Sequence, residues 1–463
     1  MDRLLDTNVR YFDNNVTTAQ LKNERGSLVK ILDEVLVTGS SEKDILSITT
    51  IEDPNDSRYW LSTVVLPDGN NYKTDLTVVL ISNSSEPNYN TVFRVQESGN
   101  NYIKIAFDKT KVPTKPANIT TGAKIKIAPL GYIKAFSATN KAVYKSVDPD
   151  FNCYLRVDDS LQVGYDPSWT KYAMVSIYSD MIDIDDYYPR DGRLKAPYYA
   201  DDPLIAEVPN GTGDSGRYGE SKWFYATNDY SVGFYLNRTP SGNGPYGWEL
   251  IGDSKTFYFF PSLIGYHTWY QKPGYCFGKY IDMNEENNKY NCILCCHEAR
   301  ARVNELQFGH YTSNPGRAEG GNVFARRLDA SGKYILNNLY TEENLNPHAK
   351  VEFFGGPVVI SGRDTGISYN QYQTNLNFFE VFMKGLYPQK ATFLGKMRGY
   401  HWIGNNLQEN KLKYPIFRSV VSDIKNNKSE KMYLQEVFIS WAASDQWDGW
   451  QYGRIAFKLS NWE

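Results

Sequence analysis

Beyond Gly39 the chain adopts a period of two, and this alternation constrains its fold more than any other feature. The runs "ILSITTI", "YWLSTVVL", "DLTVVLIS", "TVFRVQ" and "NYIKIAF" follow one another, separated by "EDPNDS", "PDGNN", "NSSEPNYN" and "ESGNN". Side chains of an extended chain alternate between its two faces, so each run offers one apolar face to a core. The separators are rich in Gly, Pro, Asn, Asp and Ser, each suited to turns for its own backbone reason. Five or six strands within about ninety residues predict a compact β-sandwich or small barrel over residues 42–128.

The stretch before it has a different period. In "TTAQLKNERGSLVKILDEVLVTG", Leu21, Leu28, Ile31, Leu32, Val35 and Leu36 fall on roughly one face at helical spacing. Thr17 or Thr18 is placed to cap the helix, and Gly39 to stop it. Gly26 is an internal weak point and offers a second starting place, with Ser27 beside it. This helix could dock onto a partner or pack against the protein's own sheet; the second is the expectation.

A further β-rich region opens at "IAPLGYIKAFSATNKAVYKS" and continues through "CYLRVDD" and "KYAMVSIYS". Long polar loops interrupt it around residues 187–245. Strands resume at "WELIGDSKTFYFFPSLI" and "KYNCILCCHEA", and the last third again alternates short strands with turns. The expected fold is therefore mainly β: an N-terminal strand and helix (1–41), a small sandwich-like domain that looks inserted (42–128), and a larger β-rich domain with long loops (129–463), divisible near 300–350. A chain of 463 residues is long enough for two to four domains and needs no metal or disulfide to bury a core.

Composition narrows the function classes. A formal net charge of −3, with no Lys/Arg block, argues against general nucleic-acid binding, which needs a basic excess to neutralise phosphates. No apolar run approaches the ~20 residues of a membrane span. The opening "MDRLLDTNVRYFDNN" lacks the apolar core of a signal peptide. Five cysteines in uneven positions make no disulfide framework, so synthesis in a reducing cytoplasm is expected. Aromatic residues reach 15%, with Tyr the commonest at 36. This suits strands and contact surfaces alike.

Three clusters invite a chemical reading. Cys292, Cys295 and Cys296 precede His297. A haem-attachment motif requires His where Cys296 stands. A zinc site needs four converging ligands, and a second ligand pair is missing, since only Cys153 and Cys276 remain. In a strand, Cys292, Leu294 and Cys296 share one face while Ile293, Cys295 and His297 share the other, so Cys292 and Cys295 cannot reach one ion. A buried strand using sulfur as a small apolar group is the expectation, with metal and redox roles as the alternatives. Asp180, Asp183, Asp185 and Asp186 form an acidic stretch that could hold calcium, though it lacks the central Gly and terminal Glu of an EF-hand loop. A solvated turn is the simpler reading. Trp441, Trp447 and Trp450, with Trp462 beyond them, could stack on sugars or anchor a partner; core packing is the simpler reading here too. No nucleotide-binding, serine-hydrolase or zinc-protease motif is present in its required context, so no cofactor and no enzymatic activity are expected.

Several blocks together resemble a family of virion structural proteins of tailed phages and prophages. They are "VRYFDNNVTTAQLKNERGSLVKILDEVLVTG", "APLGYIKAFSATNKAVYKS" (Phe136, Thr139, Asn140, Lys141, Ala142 and Tyr144 carrying the likeness), "YLRVDDS" and "SDMIDIDDYYP". The later blocks "WELIGDSKTFYFF", "YCFGKYIDMNEENNKYNCILC" and "LGKMRGYHWIG" follow in order. The chain departs from that pattern in a longer β insertion before Pro129, in longer loops around 187–245, and in "NCILCC" where relatives have a plain apolar strand. The resemblance implies a structural component of the tail, baseplate or head–tail neck, made in the host bacterial cytoplasm and assembled into the virion. Its partners would be other virion proteins and copies of itself under rotational symmetry. The alternatives are a receptor- or glycan-binding tail appendage using the 187–245 loops and the C-terminal Trp residues, a capsid decoration protein, or a polysaccharide-degrading enzyme. The last predicts two carboxylates about 5–10 Å apart in a cleft. The resemblance brings no catalytic residues with it.

Overall fold

The computed structural model describes residues 3–160 except 68 and 121, then 171–186, 195–196, 221–226, 244–261, 274–282 and 291–296. From Asn322 it describes the strands that run to Lys458 and the residues 459–462 that follow. The architecture is mainly β, with one short helical segment near the N-terminus. No described helix is long and apolar enough to cross a membrane.

A seven-stranded antiparallel sheet organises the rest. Its order is Arg10–Asp13, Trp248–Gly252, Thr256–Pro261, Tyr275–Lys279, Cys292–Cys296, Asn322–Leu328 and Tyr334–Leu336. Its second and third strands are buried at every position. Many antiparallel sheets leave one face in water and alternate apolar with polar residues. Here both faces are covered, which is why these strands read as nearly continuous apolar runs. Phe12, Leu250, Phe257, Phe259, Phe277 and Leu294 point into one core. Tyr11, Ile251, Tyr258, Phe260, Cys276 and Cys295 point into another, shared with Tyr400, Tyr433, Phe457 and Trp462.

The first core is closed by three other parts. One is a six-stranded sheet of Tyr132–Ala138, Lys141–Ser146, Tyr154–Asp158, Lys171–Tyr178 and Lys195–Ala196, with Ser221–Ala226 also pairing Lys171–Tyr178. The second is a pair of four-stranded sheets built from strands between Ser40 and Ile127. Ile48, Val64 and Ile105 of one sheet and Val79, Ile81 and Ile125 of the other belong to that same core, which makes the pair a sandwich. Two of its strands, Ser40–Asp44 and Lys124–Ile127, escaped the sequence reading because "SSEKD" is wholly polar and "KIKI" is only four residues long. They form the neck: Ser40 lies opposite Ile127, and Leu130 N–H donates to Val35 O at 2.8 Å as the chain returns.

The second core is covered by a six-stranded sheet of Val351–Phe354, Asn377–Tyr387, Lys390–Gly404, Trp450–Lys458, Lys428–Trp441 and Val420–Lys425. The described buried apolar side chains of this sheet, Met397, Tyr400, Met432, Tyr433, Ala456 and Phe457, lie on its three strands Lys390–Gly404, Trp450–Lys458 and Lys428–Trp441.

The third part is the helix. It begins at Ser27, the later of the two starting places, runs as α-helix to Leu32, and widens to a π-helix over Asp33–Thr38 before Gly39. Leu28, Ile31, Leu32, Val35 and Leu36 are buried as the spacing predicts, but Leu21 is not helical. It forms an isolated bridge with Tyr246. Thr17 and Thr18 do not cap the helix. Glu34 takes the Thr18 and Ala19 N–H groups, at 3.0 and 2.8 Å, and folds that segment back along the helix as a loop. Gly26 starts the helix from a φ of 84°, and a Cβ there would meet Asn140 Oδ1 at 2.1 Å. Only glycine combines that backbone with that contact.

Asp159, buried at the end of the Tyr154–Asp158 strand, anchors this start. Its Oδ2 accepts Gly26 N–H at 2.6 Å and its Oδ1 accepts the Tyr225 hydroxyl at 2.6 Å. Arg25 Nη1 lies 3.7 Å away. Burial pushes the carboxyl from its ordinary 3.8 up to about 7, against the opposing pull of Arg25, Tyr225 and the helix N–H groups. The folded protein thus holds this proton up to about pH 7, while the unfolded chain releases it near pH 4. Stability from this group is full below pH 4 and lost as pH rises towards 7, by up to about 4 kcal/mol. Asp159→Asn should abolish that dependence: the melting temperature of the variant minus that of the wild type should climb between pH 4 and pH 7. A constant difference across the window would contradict the assignment.

Candidate functional site

The residues singled out by sequence do not converge. Asp183 and Asp186 are used within their own turn, accepting the N–H groups of Asp185 at 2.8 Å and Ile182 at 2.9 Å. Asp185 turns to Lys141 Nζ at 3.1 Å and to the buried Arg156 at 3.6 Å, and Asp180 is exposed. Among the described residues no group of three or more His, Cys, Asp or Glu side chains could hold a metal ion. Trp441 and Trp450 are register partners at the far end of their two strands. Trp447, His297 and most of residues 187–245 lie outside the described residues. Trp462 is buried in the second core.

The cysteine strand has the predicted geometry. Cys292 and Leu294 enter the first core, Ile293 and Cys295 the second. Cys295 lies opposite Cys276 on the neighbouring strand. Burial pushes its thiol well above the ordinary range, and a hydrogen bond with Cys276 adds to this. Cys153, Cys276, Cys292 and Cys295 are all buried and outside any disulfide.

A carboxylate pair that sequence reasoning missed sits within the fold. Asp13 and Glu249 are cross-strand partners, and both are buried. The Tyr11 hydroxyl lies 3.0 Å from Glu249 Oε1 and 3.2 Å from Asp13 Oδ2. Tyr433 donates to Glu249 at 3.0 Å, and Lys73 forms an ion pair with Asp13. Burial, with Glu249 next, raises the Tyr11 hydroxyl well above its ordinary range, so it stays a donor. These groups join the N-terminal strand, the sandwich and the C-terminal sheet, and they are committed to one another.

The described residues also enclose a polar pocket of about 150 Å³ with charged walls. It is lined by Asn8, Arg10, Leu130, Asp148, Asp253, Ser254, Lys255, Arg398, Asn461 and Trp462. The hairpin turn Asp253–Thr256 forms one wall. Asp253 Oδ1 accepts the N–H groups of Lys255 and Thr256, both at 2.8 Å. Its carboxylate also grips the buried Arg398 through both oxygens, Oδ1 to Nη1 at 3.1 Å and Oδ2 to Nη2 at 2.8 Å. Lys255 Nζ lies 3.4 Å from Asp148 and 3.5 Å from Asp150. Arg10 enters from the edge strand, where its Nε donates to Thr7 O at 3.0 Å. Burial lowers its pKa to about 10, with Asp253 opposing. Sequence hid this site because "DSK" between two apolar runs reads as ordinary turn chemistry; the one available signal was Arg398, a charge inside a strand.

No protein-family model matches the chain, and no curated protein matches it.

The burial of these four thiols gives a direct test. In a Cys296→Ala variant, a thiol reagent at neutral pH should label none of the remaining cysteines in the native protein and all of them after denaturation. A thiol that reacts rapidly in the native state would reopen a redox or metal role for this strand.

Proposed function

We propose that the chain is a structural component of a tailed-phage virion, acting through protein–protein contacts in the tail, baseplate or head–tail neck. What carries this reading is the fate of the blocks that resemble that family. "VRYFD" pairs with "WELIG", which pairs with "TFYFF", then "YCFGK", then "CILCC". The "YIKAFSATNKAVYKS" hairpin and "YLRVD" form consecutive strands of the sheet against it. Blocks scattered along the chain thus make up one framework with interiors on both sides, the kind of rigid body that presents fixed surfaces to neighbouring subunits. The sandwich between Ser40 and Ile127 is an elaboration of that framework at a narrow neck. Its partners would be other virion proteins and further copies of itself in a symmetric ring or set of appendages, assembled after synthesis in the host cytoplasm.

One observation favours a second reading, a receptor- or glycan-binding appendage: Trp441 and Trp450 are backbone register partners at the far end of their strands. A single experiment separates the two. A gold-conjugated antibody against the protein, applied to purified particles and viewed by electron microscopy, should decorate the neck or tail if the assembly role holds. Label restricted to a distal fibre tip would favour the appendage. No label on intact or disrupted particles would overturn the virion assignment and return the enzyme class to consideration.

A further inference from the structure

We propose that the pocket between the N-terminal strand, the Asp253–Thr256 turn and the C-terminal residues is a binding site for a phosphate group, either free or carried as a monoester.

The first argument is charge. Arg10, Lys255 and Arg398 line the pocket against Asp148 and Asp253, three cations to two carboxylates, a formal balance of +1. The carboxylates are already engaged, and so are Arg398, held by both oxygens of Asp253, and Lys255, placed between Asp148 and Asp150, which leaves Arg10 as the open cation. Asp253 is held by two backbone N–H groups and by both terminal nitrogens of Arg398. Asp148 receives Lys255 at 3.4 Å and the Ser254 hydroxyl at 3.4 Å through Oδ2, and the Asp150 N–H at 2.9 Å through Oδ1.

The second argument is Arg10 itself. An arginine carries five N–H donors, and the single hydrogen bond of this side chain among the described residues runs from Nε to Thr7 O. No described carboxylate forms an ion pair with it. Its two terminal nitrogens have no hydrogen-bond partner among the described residues, and a guanidinium fork matches two oxygens of an oxyanion. Burial lowers the pKa of Arg10 to about 10, and Asp253 opposes this only in part. Lys279, which donates to Asp150 O at 2.8 Å, is likewise lowered, first by burial and then by Lys255.

The third argument is shape. Arg10, Lys255 and Arg398 come from three separate elements and surround one volume. A tetrahedral anion offers oxygens in several directions at once, whereas a carboxylate offers a single edge. A cavity of about 150 Å³ accommodates a phosphate with several waters. The site does not rest on the proposed assembly role.

The test is thermal unfolding of the full chain with increasing inorganic phosphate at constant ionic strength, with chloride and acetate as controls and glycerol 3-phosphate as the monoester. The wild type should show a saturable rise in melting temperature with phosphate that chloride and acetate do not reproduce. Arg10→Met should weaken the apparent affinity at least ten-fold, and Lys255→Gln should weaken it independently. If Arg10→Met unfolds, the lysine variant carries the test alone. Response to inorganic phosphate without the monoester assigns the site to the free ion. Response to both assigns it to a phosphate borne on a larger molecule. No saturable response, equal stabilisation by acetate, or an unchanged affinity in a folded variant would overturn the proposal.

Discussion

The guanidinium of Arg94 is the point on which the assembly of this chain turns. The side chain is buried, and each of its five N–H donors has a backbone carbonyl. Nε donates to Asp6 O at 2.7 Å, Nη1 to Asp75 O at 3.0 Å and Leu76 O at 3.3 Å, and Nη2 to Val9 O and, at 3.2 Å, to Leu459 O. A buried cation is costly unless its hydrogen bonds are complete, and here they are. Burial lowers its pKa to about 10, so it remains charged at neutral pH. The acceptors come from the N-terminal segment, from the sandwich and from the last residues of the described chain. One side chain thus fixes three parts that are far apart in sequence, and Lys431–Asp75 and Arg3–Asp53 reinforce the same junction at 2.6 Å and through a shorter contact.

That junction explains why the central sheet can bury both faces. An edge strand of four residues, Arg10–Asp13, has little pairing of its own. It is held because its flanks are bound to the sandwich by Arg94, and because Tyr11 shares Glu249 with Tyr433. The second core forms only when the C-terminal sheet reaches Tyr258 and Phe260, through Phe457 and Trp462. The packing there is close: a Cβ on Gly399 would lie 2.1 Å from the Trp462 ring. The phosphate pocket sits at this same meeting place, where charged groups from three elements are brought together by the apolar contacts beneath them.

Local signals were legible in the sequence and long-range ones were not. The alternating runs from Ile45 to Phe107 predicted strands because a half-buried strand writes its exposure into every second residue. The helical face from Leu28 to Leu36 was legible for the same reason at a different period. Leu21 matched that period by coincidence, and its pairing with Tyr246 depends on a residue over two hundred positions away. The alternation of Cys292 and Cys295 between two cores followed from strand geometry alone. By contrast, Arg94 stands in "TVFRVQ" like any surface charge on a strand, and nothing near it names Val9 or Leu459. Arg10 and Lys255 were unremarkable for the same reason: a pocket made by the fold has no local spacing.

Arg94 thus makes the N-terminal strand, the sandwich and the C-terminal residues a single cooperative unit. Hydrogen exchange measured by mass spectrometry on the wild type and on Arg94→Met tests it most directly. Leaving several buried carbonyls without donors should cost on the order of 3 kcal/mol, close to a hundred-fold in opening equilibrium. The account predicts that amides in residues 6–13, 92–95 and 456–460 lose protection together, by a common factor, in the variant. Loss confined to residues 92–95, with the other two segments exchanging as in the wild type, would contradict it.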